Sequence, residues 1–425
     1  MKFYIATVFL LHGLSPVAGL AFGFFVAGLW MLVKLSARDR WLPRLQFRKD
    51  DALFASIYVL GLLPLMLHPT TNGKQNIVYL VLWPAIWFVC YWWIREWGLI
   101  SRLCFADVSK AATAGCIMLA GAIILEFALA NTAGRYLSDF IPFSISTFPD
   151  ANVLGDELKR PRGFSAEAGF TSIAFECLLP LSYYTVRKRR LRLIAFGALV
   201  LPAYLLLFSA ASISFFALTM LVYVQINHGT KRAVLTALGI GMPIAFVALT
   251  SDEVSFVLYE VIARKFLEFS ASEGGPTADT FSRPEAYSLG LAILMERPFG
   301  MGWGTLSQQA ANGLPLFGTE LKGTGLISLP LEVGAAAGLI GLGLYLAIVF
   351  RKLKRLSVIG TLPSRLVFVS LLWVSLHHMV VLEFWFPMLW LSMALADIVC
   401  RENRLRSTAT PQALGAASTG PIAHA

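Results

Sequence analysis

Long apolar stretches recur along the chain, separated by polar gaps that are mostly short. The pattern predicts helical spans at about 3–14, 17–33, 52–67, 76–94, 109–130, 170–186, 193–208, 211–227, 233–250, 325–350, 363–382 and 384–400. Ser15-Pro16 interrupts the first apolar run, so residues 3–33 hold one crossing or two, because proline breaks or kinks a helix. A bilayer crossing needs ~20 apolar residues, and lipid offers no water to bond an unpaired backbone group. These stretches must therefore be helices, and the alternating strands of a barrel are absent from the pattern. The expected fold is an all-α polytopic membrane protein with 11 to 12 transmembrane helices. One integral membrane domain covers residues 1–406, and 407–425, rich in Ala, Thr, Ser, Gly and Pro, is expected as a disordered cytoplasmic tail.

The gaps alternate in charge. By parity of crossings, Arg38/Arg40/Arg44/Arg48/Lys49, Arg95/Arg102, Arg187 to Arg192, Lys231/Arg232, Arg351/Lys352/Lys354/Arg355 and Arg401/Arg404/Arg406 fall on one side. The positive-inside rule makes that side cytoplasmic, with both termini there if the count is even. Two gaps, about 131–169 and 251–324, are long and fall on the opposite, periplasmic side. Loops of that length in a compact protein are functional or disordered. The second holds two helix-like pieces. Residues 254–269 carry an apolar stripe with charges facing away, suited to the membrane interface. Residues 284–296 begin at a proline, and their apolar middle is too short to span.

Composition agrees: 57% of residues are hydrophobic and 14% charged, with mean hydropathy +0.68, whereas soluble domains average about 25% charged. The net charge of +10 is a topology signal, and no nucleic-acid partner is expected. The first apolar stretch reads as membrane helix, without a signal-peptide cleavage site. The five cysteines are scattered without a C-x-x-C pair, and the six histidines form no ligand pattern, so neither a disulfide framework nor a metal site is expected.

Candidate chemistry concentrates in the long loops. The first ends Arg160-Pro-Arg162-Gly163-Phe-Ser-Ala-Glu167, just ahead of an expected span. Guanidinium forks onto phosphate oxygens bidentately, and this position lies near the headgroup plane. The competing role is anchoring the loop to phospholipid headgroups or pairing with Asp156 and Glu157. Gly163 permits close backbone approach. Glu167 is a helix-dipole partner, an arginine partner or a proton acceptor. In the second loop Arg283 starts the short helix, where a salt bridge to Glu285 or Asp279 is the alternative. Arg297-Pro-Phe-Gly300-Met-Gly302-Trp303-Gly304 then makes a tight turn. No Lys-Ser/Thr follows it and no strand precedes it, so it is not a nucleotide P-loop. Trp303 suits sugar stacking or, more commonly, an interfacial aromatic belt. Glu126, Glu176, Glu332, Glu383 and Asp397 fall within or at the ends of apolar spans, where an ionisable group is functional by default. Glu383, beside His377 and His378, and Asp397 are expected to be wet, which leaves Glu332 and Glu176 as the interesting pair.

Taken in order, R-x-x-G-x-x-x-E before a span (Arg160, Gly163, Glu167), a large loop opening with Ser-Arg (Arg283) and closing P-x-G-x-G-x-G (Pro298, Gly300, Gly302, Gly304), then E-x-G-x-x-x-G (Glu332, Gly334, Gly338) resemble the O-antigen polymerase and O-antigen ligase superfamily. These are bacterial inner-membrane glycosyltransferases of the GT-C class. The resemblance covers about residues 160 to 341. It implies a donor glycan on undecaprenyl pyrophosphate, metal-independent transfer without a cofactor, and periplasmic arginines on the pyrophosphate. Arg160 and Arg283 inherit that role, with Glu167 as the proton acceptor. Arg162, Gly163, Arg297, Gly300, Gly302, Trp303 and Glu332 are the substrate-binding candidates. Further implied partners are membrane lipid, a chain-length regulator and a flippase. Ligases carry a histidine about nine residues before E-x-G, where this chain has Gly323-Thr324. The departure favours a polymerase of O-antigen, capsule or exopolysaccharide. A ligase acting on lipid A core or protein, and a lipid-linked oligosaccharide flippase or other transporter, are the alternatives.

Overall fold

The computed structural model describes residues 1–13, 22–36, 46–67, 73–140, 152–154, 158–163, 168–207, 209–239, 283–312, 316, 328–380 and 387–417. Its helices are α1 (Lys2–Gly13), α2 (Phe22–Ser36), α3 (Lys49–Leu67), α4 (Lys74–Ile100), α5 (Phe105–Ala133), α6 (Ala168–Val186), α7 (Arg190–Leu206), α8 (Ala210–His228), α9 (Arg283–Glu296), α10 (Thr305–Ala311), α11 (Leu329–Ile359), α12 (Leu362–His377) and α13 (Pro387–Ala417). A further helical segment covers 230–239. Among the described residues five helices, α3, α4, α5, α8 and α11, are long and apolar enough to cross a membrane. Large apolar side chains face outward on several helices; Met66 is 68% exposed and Phe350 74%. In water that surface would be costly, whereas against hydrocarbon it is the ordinary outer face of a bundle.

Several expected boundaries move. The span expected at 76–94 is part of a longer helix, α4, with a wide-turned stretch over Trp87–Trp93. The span expected to stop at 350 continues as α11 to Ile359, because Lys352 finds a buried anionic partner and need not leave the bundle. α13 continues past position 407 to Ala417, through Pro411 and Gly415, the residue types least favourable to a helix interior. In the first long loop, β1 (Asn152–Leu154) pairs antiparallel with β2 (Leu158–Lys159). The expected interfacial helix at 254–269 lies outside the described residues, as does most of the span at 233–250. The expected short helix at 284–296 is α9, which packs Leu289, Ile293 and Leu294 against Leu331 and Ala335 of α11.

One end of the bundle is tied by ions. Arg95 of α4 is fully buried and grips both oxygens of Asp51 of α3 at 2.6 and 2.8 Å, with Nε on Glu96 at 2.8 Å. Beside it, Lys352 of α11 donates to Asp397 of α13 at 2.7 Å, to Tyr91 at 3.0 Å and to Asp50 at 3.1 Å. Each buried charge therefore has an opposite partner, which an apolar interior demands. Asp397, expected to be wet, is 8% exposed and forms the centre of this knot. Shortly after α4 ends, α5 sets out for the other end; its 29 residues correspond to about 43 Å of helix.

The second joint is made by backbone. Gly338 interrupts α11 with φ 72° and ψ −173°, a conformation open to glycine and strained for other residues. The interruption frees carbonyls that would otherwise bond along the helix. Met301 N–H donates to Ala335 O at 2.7 Å, Gly302 N–H to Ala336 O at 3.0 Å, and Leu339 N–H back to Pro298 O at 2.9 Å. A Cβ on Gly300 would sit 2.7 Å from the Gly338 nitrogen. The P-x-G-x-G-x-G and E-x-G-x-x-x-G motifs are thus two halves of one interlocking seam.

Candidate functional site

At the end of α5 away from the ion knot, Glu126 is fully buried and its carboxylate turns toward the first long loop. One oxygen accepts the N–H of Arg162 at 2.7 Å and also the N–H of Gly163. The other accepts the N–H of Leu137 at 3.1 Å. A carboxylate that collects three backbone donors fixes their path strongly, because charge-assisted hydrogen bonds are the stronger class. Gly163 bends with φ 66°, and a side chain there would press on Thr171 at 3.1 Å. The Thr171 hydroxyl closes the turn by donating to the Arg162 carbonyl.

The turn sends its two arginines to different neighbours. Arg160 Nε donates to the carbonyl of Leu207, at the end of α7. The Arg162 guanidinium lies over the Tyr136 ring, 4.1 Å from its centroid, a cation–π seat. Both side chains remain half-buried.

Leu207 leads into a buried polar chain. Ser209 caps α8 by accepting from Ser212 N–H, and the Ser212 hydroxyl donates to Glu176 Oε1 at 2.6 Å. Tyr204 OH meets the Ser212 hydroxyl at 2.6 Å. On its other side, Glu176 Oε1 meets His377 Nδ1 at 2.6 Å. Glu176 and His377 are 0% and 1% exposed, because α6 and α8 close over the end of α12. The Glu176 Oε2 atom has no hydrogen-bond partner among the described residues.

The second long loop reaches the same place. Leu329, opening α11, donates its N–H to the His378 carbonyl at 3.0 Å. Tyr287, one turn into α9, donates its hydroxyl to the Met379 carbonyl. Hydrogen bonds thus tie α9, which begins at Arg283, to the residue two after His377, and the turn that carries Arg160 to Leu207, two residues before the α8 cap whose Ser212 bonds Glu176.

The remaining sequence candidates divide. Glu332 is buried in the first turns of α11, its N–H bonded to Ser328 O at 2.9 Å. Arg297 is exposed at the close of α9. Gly300 and Gly302 belong to the backbone seam. Trp303 is 1% exposed, stacked on Trp83 with centroids 4.5 Å apart, and its indole donates to Tyr58 O at 3.0 Å. It occupies neither an interfacial belt nor an open sugar platform, because a glycine at 61 leaves room for the ring between α3 and α4. Glu167 and Glu383 lie outside the described residues, and the side chain of Arg283 is likewise not described.

Glu126 and His377 are the residues that sequence reasoning underweighted. The signal for Glu126 was present as an acid inside an apolar span, but its partners stand 36 and 37 residues further on. No protein-family model matches the chain, and no curated protein is significantly similar to it.

Proposed function

We propose that the chain is a polysaccharide polymerase of the bacterial inner membrane. In this reading its helices make about twelve crossings, both termini are cytoplasmic and the two long loops are periplasmic. It transfers a glycan from undecaprenyl pyrophosphate onto the terminal sugar of another lipid-linked repeat unit.

The observation that carries the reading is the turn at Arg160–Gly163. A buried carboxylate holds its backbone, and α9, which begins with Arg283, docks by Tyr287 onto the neighbouring end of α12. Guanidinium groups from two separate segments suit a diphosphate, whose oxygens accept paired N–H donors. Pyrophosphate is a good leaving group, so positioning and charge stabilisation supply most of what the reaction needs. The sugar hydroxyl of the acceptor must also lose a proton. The sequence candidate for that proton is Glu167, which immediately precedes Ala168 in the chain.

The test is reconstitution of the purified protein in vesicles with an undecaprenyl-pyrophosphate-linked repeat unit as sole substrate. A ladder of lengthened lipid-linked glycans is expected. Movement of the lipid across the bilayer without new glycosidic bonds would overturn the reading in favour of a flippase. Transfer to added lipid A core without a ladder would overturn it in favour of a ligase.

A further inference from the structure

We infer that His377, in place of the sequence candidate Glu167, takes the acceptor's proton, with Glu176 as its positioning residue; this rests on the polymerase reading. Four observations converge. The imidazole Nδ1 is held at 2.6 Å by a fully buried carboxylate, which sets the ring's orientation and stabilises the imidazolium that forms. That carboxylate is itself aimed by the Ser212 hydroxyl at 2.6 Å, backed by Tyr204. Its second oxygen has no hydrogen-bond partner among the described residues. The position completes the argument. Ser212 connects through the α8 cap to Leu207, which holds Arg160. The two residues after His377 receive Leu329 and Tyr287 from the flanks of the second loop. The pair thus lies between the two arginine-bearing segments, where donor and acceptor would meet.

In the step, the acceptor hydroxyl oxygen forms a bond to the anomeric carbon of the donor sugar. The bond from that carbon to the pyrophosphate oxygen breaks, and its electron pair leaves with undecaprenyl pyrophosphate. The hydroxyl proton passes to Nε2 of His377, and the resulting imidazolium is balanced by Glu176. The proton is later returned to water.

The experiment uses full-length protein in vesicles with the same lipid-linked repeat unit, comparing unaltered protein with His377→Gln and Glu176→Gln. Three readouts are taken: kcat, KM for the donor, and binding of undecaprenyl pyrophosphate. His377→Gln is expected to lower kcat by about 100-fold or more, in the range of general-base removal. KM and lipid binding should stay near the unaltered values. Glu176→Gln keeps a side chain of the same shape and should lower kcat by about 10-fold, again without loss of binding. A His377→Gln protein with unaltered kcat, beside active unaltered protein, overturns the inference alone. So does a variant whose kcat, lipid binding and thermal stability fall together, which would mark a structural pair. An unaltered protein that lengthens no glycan overturns the polymerase reading and the inference with it.

Discussion

The carboxylate of Glu126 accepts the backbone N–H of Arg162 at 2.7 Å across 36 residues of chain. It accepts two more backbone donors, from Gly163 and Leu137, so a single side chain shapes the segment that carries Arg160. Glu126→Ala removes all three bonds. Each hydrogen bond to a charged group contributes about 1.5–3 kcal/mol, so amide exchange at Arg162 and Gly163 should speed up by at least about 10-fold. Glu126→Gln retains one acceptor oxygen and should fall between the two. Hydrogen exchange resolved at residues 158–163 checks this without any substrate, and unchanged protection in Glu126→Ala would contradict it.

Gly338 and Gly300 meet as backbone against backbone. Gly338→Ala places a side chain at φ 72°, ψ −173°, a region essentially reserved to glycine, at a cost of about 1–3 kcal/mol from the backbone alone. The added carbon would also press on the Pro298–Phe299 backbone. Detergent-solubilised Gly338→Ala should melt well below the unaltered protein. Gly343→Ala, on the same helix with open space around it, should lie within about 0.5 kcal/mol of it.

Lys352 sits among Asp397, Asp50 and Tyr91 with no exposed side-chain surface. Lys352→Met takes the cation from buried Asp397, while Asp50 keeps Arg351 at 2.8 Å, and breaking such a buried pair from one side costs about 3–5 kcal/mol. Adding Asp397→Leu should return part of that loss, because a stranded charge is worse than none. Thermal unfolding of the three proteins reads the order. A Lys352→Met protein as stable as the unaltered one would contradict the assigned ion knot.

The sequence was most legible where one residue decides local geometry. The short helix after Arg283, the glycine turn after Pro298 and the acid near the start of α11 all stand out because Pro, Gly and Glu in apolar surroundings have few local explanations. Long-range partners were not legible. Arg95 and Lys352 read as charges in polar gaps, yet both are buried, because Asp51 and Asp397 arrive from other helices. The Glu176–His377 pair was hidden for the same reason: its members stand 201 positions apart in sequence. Trp303 carries no mark of its seat between Gly61 and Trp83, since packing partners follow from the fold and leave no periodic trace.

The central claim is that Arg160 and Arg283 share one diphosphate. A double-mutant cycle on undecaprenyl pyrophosphate binding tests it most directly, with Arg160→Ala, Arg283→Ala and the double variant measured in vesicles at one ionic strength. Each single variant should weaken binding by about 10-fold or more. The double variant should depart from additivity by about 0.5–3 kcal/mol, as expected for groups that contact one ligand. Binding unchanged in either single variant, or strictly additive losses, would contradict the shared site.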